Sequence, residues 1–74
     1  MDISLLQDLV DNKSVDELSA AEDALLIEGK MPFDLLVADD AEALDLLSAA
    51  IWIAERMSSH EHTFDQAFQE YINR

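Results

Sequence analysis

The sequence predicts an all-α domain, a compact bundle of about four helices in which the third helix is central and buried. The 74 residues contain one glycine and one proline, which is too little turn-forming chemistry for a multi-stranded sheet. Half of the residues are hydrophobic, which argues against disorder. Apolar residues recur at helical spacing, and three capping signals mark helix starts. A chain of this length forms one domain, so we expect residues 1–74 to fold together.

The first two helices are predicted by apolar spacing and by a capping box. The first helix runs from about residue 3 to residue 10, with its apolar side chains on one side. The second runs from about residue 15 to residue 28. Ser14 and Glu17 form the capping box that starts it, and Gly29 supplies a left-handed end.

The third helix, from about residue 41 to residue 57, is the most informative segment. Residues 43–54 are apolar at all but two positions, so a helix there must be buried on several sides. A chain of this size buries only about 60% of its unfolded surface, so we expect a second chain to complete the cover. Residues 58–62 are interpreted as a turn.

An acidic variant of the capping box at residues 39–42 precedes the third helix, and Thr63 and Gln66 form the third capping signal. The fourth helix follows it, from about residue 64 to residue 72. We expect its aromatic face to dock on the third helix. Residues 33–37 have aromatic and β-branched ends, and they suit a short strand or an ordered linker packed on the core. Both interpretations stay open.

The charge limits the classes of partner. Seventeen acidic residues against four basic ones give a net charge of −13. Such a surface repels phosphates and anionic headgroups, so we expect no direct nucleic-acid binding and no membrane association. The apolar run spans about 18 Å as a helix, short of the ~30 Å of a bilayer core. The first residues lack a basic signal-peptide segment, so we expect a cytoplasmic protein.

The sequence offers little catalytic chemistry. It has no cysteine, no G-x-S-x-G elbow and too few glycines for a phosphate-binding loop. We therefore expect no enzyme activity, no cofactor and no assigned metal site. His60 and His62 are the residues that would bind a metal in a weaker alternative, although the HExxH spacing is absent.

Several segments resemble a known family. They are MDI and LQDL within residues 1–9, SVDELSAAE at 14–22, AAIWI at 49–53 and FDQAFQEY at 64–71. Together they are similar to a family of small, uncharacterised, acidic helical proteins of bacteria. The resemblance implies a bacterial, cytoplasmic helical domain and transfers no catalytic residue.

These observations predict a non-enzymatic protein-interaction or regulatory homodimer. The predicted interface residues are Leu47, Ile51, Trp52 and Ile53. The acids expected to select a basic protein partner are Asp39, Asp40 and Glu42. The alternative function is an acidic inhibitor, either a nucleic-acid mimic or an immunity-type protein that blocks a basic site.

Overall fold

The computed structural model describes residues 2–31, 33, 35 and 37–74. Within these residues the chain forms four helices: α1 (Ile3–Asn12), α2 (Val15–Glu28), α3 (Asp40–His60) and α4 (Phe64–Asn73). No residue in the described ranges belongs to a β-strand. The predicted all-α bundle is therefore confirmed.

Helix α3 is the central element. Helices α1, α2 and α4 each pack against it. Its side chains at Leu46, Leu47, Ala50 and Ile53 are all 0% exposed. The prediction of a buried third helix is confirmed, but the expectation that one chain cannot cover it is wrong at these positions. Among the described helices, none combines the length and the hydrophobicity needed to cross a bilayer.

The predicted capping boxes start α2 and α4. The Ser14 hydroxyl accepts a hydrogen bond from the Glu17 amide at 3.1 Å, and the Glu17 carboxylate accepts one from the Ser14 amide at 2.9 Å. The hydrogen bond from the Ser14 amide is the main reason that the pKa of Glu17 is lowered. Thr63 and Gln66 form the same pair of bonds before α4. These bonds satisfy amides that a helix start otherwise leaves unpaired.

The ends of α2 and α3 use left-handed backbone. Gly29 has a φ of 70°, and its amide donates to the Leu25 carbonyl at 3.1 Å, as the predicted C-cap requires. Helix α3 continues to His60, so the predicted turn over residues 58–62 is wrong for residues 58–60. The polar side chains there are exposed and do not oppose helix formation. The chain leaves the helix only at Glu61, where φ is 55°.

Two of the described residues between α2 and α3 pack on the core. Leu35 is 8% exposed and belongs to the core, and Val37 packs against it. Phe33 is exposed and takes a φ of 55°. The ordered-linker interpretation is confirmed at Leu35 and Val37, and the strand interpretation is wrong for the described positions. Asp34 and Leu36 of the predicted segment lie outside the described residues.

Candidate interaction site

A shallow groove of about 340 Å³ runs between α2 and α3. It contains an indole, an aliphatic side chain, two carboxylates, a guanidinium and two hydroxyls. The lining residues are Glu22, Ser48, Ile51, Trp52, Glu55, Arg56 and Ser59. The groove therefore combines apolar walls with charged rims.

The helical period of α3 explains why an indole reaches this surface. Positions 48, 52, 55 and 59 follow i, i+4, i+7 and i+11 spacing and share one side of the helix. Ser48, Glu55 and Ser59 are exposed, whereas Trp52 in the same row is half-buried. Trp52 therefore lies on the solvent-facing side of α3.

Trp52 is held by contacts within the chain. The Tyr71 ring of α4 meets it edge-on, with ring centroids 5.7 Å apart. The guanidinium carbon of Arg56 lies 5.1 Å from the Trp52 ring centroid, and that of Arg74 lies 6.0 Å from it. Edge-to-face and cation–π contacts of this kind fix the orientation of an indole.

A side-chain hydrogen bond joins the two helices beside the groove. The Ser48 hydroxyl of α3 donates to Oε2 of Glu22 on α2 at 2.6 Å. A charge-assisted hydrogen bond of this length is among the stronger kinds. It holds the Glu22 carboxylate next to the half-buried Ile51 and Trp52.

The Arg56 charge is balanced by Glu70 of α4. Nε and Nη2 of Arg56 donate to Oε2 of Glu70 at 3.3 Å and 3.1 Å. These bonds are the main reason that the pKa of Glu70 is lowered, with further attraction from Arg56 and His62 and an opposing contribution from burial. Nδ1 of His62 also contacts Oε1 of Glu70 as an ion pair when the imidazole is protonated, although neither atom makes a hydrogen bond of regular geometry.

Most of the acidic surface is not neutralised within the chain. Among the described residues, the ion pairs are Arg56–Glu70 and His62–Glu70, and both therefore use the same carboxylate. The remaining described acidic side chains form no ion pair within the chain. Two of the basic side chains lie over rings instead, Lys13 over Phe33 at 4.6 Å and Arg74 over Tyr71 at 4.4 Å.

The predicted interface residues divide into two groups. Leu47 and Ile53 are 0% exposed and belong to the core of the single chain. Ile51 and Trp52 are half-buried and line the groove. The structure therefore brings two of the four residues to a surface and places the other two inside, because α3 is covered on more sides than the sequence indicated.

The acids predicted to select a partner lie at the N-terminal end of α3. Oδ1 of Asp39 accepts from the Glu42 amide at 2.9 Å, and Oε2 of Glu42 accepts from the Ala38 amide at 3.1 Å. Asp40 is exposed in the first turn of the helix. Asp39 and Glu42 thus cap the helix, and selection of a basic partner by this acidic end stays a prediction.

His60 and His62 lie close together at the α3–α4 connection. Their ring centroids are 5.5 Å apart, and Nδ1 of His60 is 2.7 Å from the Ser59 hydroxyl. Within the described residues there is no group of three or more His, Cys, Asp or Glu side chains placed to hold a metal ion. The geometry therefore supplies no third ligand for the weaker metal alternative.

Several groove residues were not predicted from the sequence. Trp52 and Arg56 are four residues apart on one helix, so their contact was readable from spacing. Ser48 and Glu22 are separated by 26 residues, and no local pattern signals a hydrogen bond between them. Arg56 and Glu70 are likewise distant in sequence and meet only because α4 packs on α3.

Large apolar side chains are also exposed outside the groove. Leu26 is 62% exposed and Ile27 is 81% exposed, side by side near the end of α2. Ile72 of α4 is 56% exposed. Adjacent exposed residues of this size mark a candidate contact surface, whereas a single one needs no explanation.

The fold and the groove define a small, acidic helical bundle with a half-buried indole at its surface. A family model described as a family of unknown function (DUF6952) matches residues 1–74, and the chain belongs to this family. The resemblance to an uncharacterised family is thereby confirmed. Comparison with curated proteins and with solved structures found no match.

Proposed function

We propose that the protein is a non-enzymatic interaction protein whose acidic surface binds a basic segment of another protein. The supporting observation is the acidic surface itself, since the net charge is −13 and the ion pairs of the described residues all involve Glu70. A surface of one sign attracts a partner of the other sign over distances of about 10 Å at 0.1 M salt. Contact between apolar groups then slows dissociation.

Affinity capture tests this proposal. The purified protein is immobilised, exposed to host extract at low salt and washed with a rising salt gradient. We expect a reproducible partner with a basic segment that elutes as salt increases, because screening weakens attraction between exposed charges. The purified partner should then bind in solution with the same salt dependence. Partners that bind equally well at all salt concentrations, or no partner at all, would contradict the proposal.

We also propose that the protein forms a homodimer whose interface lies on α2, and not on α3 as the sequence predicted. The support comes from Leu26 and Ile27, which are more exposed than the half-buried Ile51 and Trp52. A second copy would cover these side chains and stabilise the pair by removing apolar surface from water. Repulsion between two acidic chains opposes this association, so added salt should favour it.

Sedimentation velocity at micromolar concentration tests the homodimer. We expect about twice the 8.3 kDa chain mass at high salt and a smaller fraction of dimer at low salt. Ile27→Ser should reduce the dimer, whereas Ile72→Ser, on α4, is the matched control and should not. A monomer at every salt concentration would contradict the homodimer and leave the basic partner to be tested separately.

A further inference from the structure

We propose that the groove between α2 and α3 is the part of the acidic surface that receives a lysine or arginine side chain from the basic segment. This inference rests on the proposed function and adds to it the place of contact. The occupant is a cationic side chain of a protein segment, and the reasons are the shape of the groove and the charges that remain unbalanced in it.

The apolar side of the groove fits the stem of such a side chain. Ile51 and Trp52 are half-buried and line the groove. Lysine and arginine lay their methylene groups along apolar surface while the charged end stays in a polar environment. Arg56 and Arg74 of the chain itself already lie over the Trp52 ring, so the indole offers an incoming side chain apolar contact.

The charged side of the groove fits the end of the side chain. The Glu22 carboxylate is held in place by Ser48 at 2.6 Å, and Glu55 is exposed about two turns further along α3. Arg56 also lines the groove, but its charge is balanced by Glu70 at 3.1 Å. Glu22 and Glu55 therefore remain unbalanced, and the groove favours a cation.

The volume and the surrounding charge limit the occupant further. About 340 Å³ of space exceeds what one bare metal ion fills and lies within the range of pockets that hold small organic groups. Nucleic acid is disfavoured by the net charge of −13. An amino-acid side chain on a basic segment satisfies both conditions.

A labelled peptide provides the probe. A fluorescein-labelled peptide with six arginines separated by glycines is titrated against the protein, with binding followed by fluorescence anisotropy. An unlabelled copy is titrated while the emission of Trp52 is followed, and this signal reports on the groove because Trp52 is the one tryptophan in the sequence. We expect saturable binding and a change in Trp52 emission over the same concentration range.

Paired variants separate the groove from the overall charge. Glu22→Gln with Glu55→Gln removes two charges from the groove, and Asp16→Asn with Asp23→Asn removes two exposed charges of α2 that do not line it. We expect about fivefold weaker binding for the groove variant and less than about twofold for the control. Circular dichroism checks the fold of each variant. Glu55→Gln alone, which alters an exposed side chain, replaces the double variant if that one unfolds.

The outcomes distinguish the proposed groove from the proposed binding of a basic segment by the acidic surface as a whole. A larger loss for the groove variant, together with the change in Trp52 emission, supports the groove. Equal losses for both variants, or binding without a change in Trp52 emission, overturn the groove and leave the acidic interaction surface standing. The absence of anisotropy change at low salt overturns both.

Discussion

Arg56 on α3 and Glu70 on α4 form an ion pair, with Nη2 of Arg56 3.1 Å from Oε2 of Glu70. The same guanidinium lies over the ring of Trp52. One side chain therefore links the central helix to the last helix and supports the indole that faces the groove. The same Arg56 side chain therefore contributes to the packing of α4 on α3 and to the orientation of Trp52 in the groove.

The ion pair predicts how stability changes with pH. Glu70→Gln should lower the free energy of unfolding at neutral pH, because it removes the charge that Arg56 binds. A carboxyl whose pKa is lowered in the fold contributes stability above its unfolded pKa, and that contribution is lost as pH falls through the folded value. The difference in the free energy of unfolding between wild type and Glu70→Gln should therefore become smaller as the pH falls below 4.5, the ordinary pKa of a glutamate side chain.

Urea unfolding at a series of pH values measures this difference. Glu55→Gln is the control for the loss of one negative charge, since Glu55 is exposed on α3 and forms no ion pair. A constant difference between wild type and Glu70→Gln from neutral to strongly acidic pH would mean that the pair does not stabilise the fold.

The central position of α3 predicts a large effect of truncating its core side chains. Leu46 is 0% exposed, so Leu46→Ala should lower the free energy of unfolding by about 2–5 kcal/mol. Ile72→Ala is the matched control, because Ile72 is 56% exposed, lies outside the proposed dimer interface, and its truncation should cost about 0.5 kcal/mol or less. Chemical denaturation of both variants compares the two sites directly. Similar losses at both sites would contradict the assignment of the core.

The end of α3 predicts a stabilising substitution. Glu61 has a φ of 55°, a conformation that glycine adopts without strain. Glu61→Gly should therefore raise the free energy of unfolding by about 0.5–1 kcal/mol. Glu61→Gln removes the same charge and keeps the Cβ atom, so it separates backbone strain from charge. If both variants change stability equally, strain at this position is not the cause.

The sequence predicted the positions of the helices better than it predicted how the helices pack against one another. Side chains such as Ser14 and Thr63 act on amides three residues away, so a local pattern was sufficient to locate two helix starts. The C-terminal end of α3 was predicted about three residues too early, because its last polar residues are exposed and their types do not indicate where a helix ends. The stop depends on the backbone at Glu61, which the residue type did not indicate.

The site was predicted only in part, for a different reason. The apolar run correctly indicated that α3 is buried, but periodicity does not count how many helices of the same chain pack on it. The apolar run therefore predicts Leu47 and Ile53 as contact residues, whereas both are 0% exposed in the single chain. Ile51 and Trp52 do line the groove. Glu22 of α2 also lines it, but its position beside Ser48 results from tertiary packing and has no local signal in the sequence.

Binding of a basic segment in the groove between α2 and α3 can be followed residue by residue. The most direct measurement is a heteronuclear NMR titration of the isotope-labelled protein with the six-arginine peptide. We predict the largest shift changes at the Trp52 indole and at the amides of Ser48, Glu55 and Glu22. Changes spread evenly over acidic residues of every helix, with the Trp52 indole unmoved, would contradict the claim.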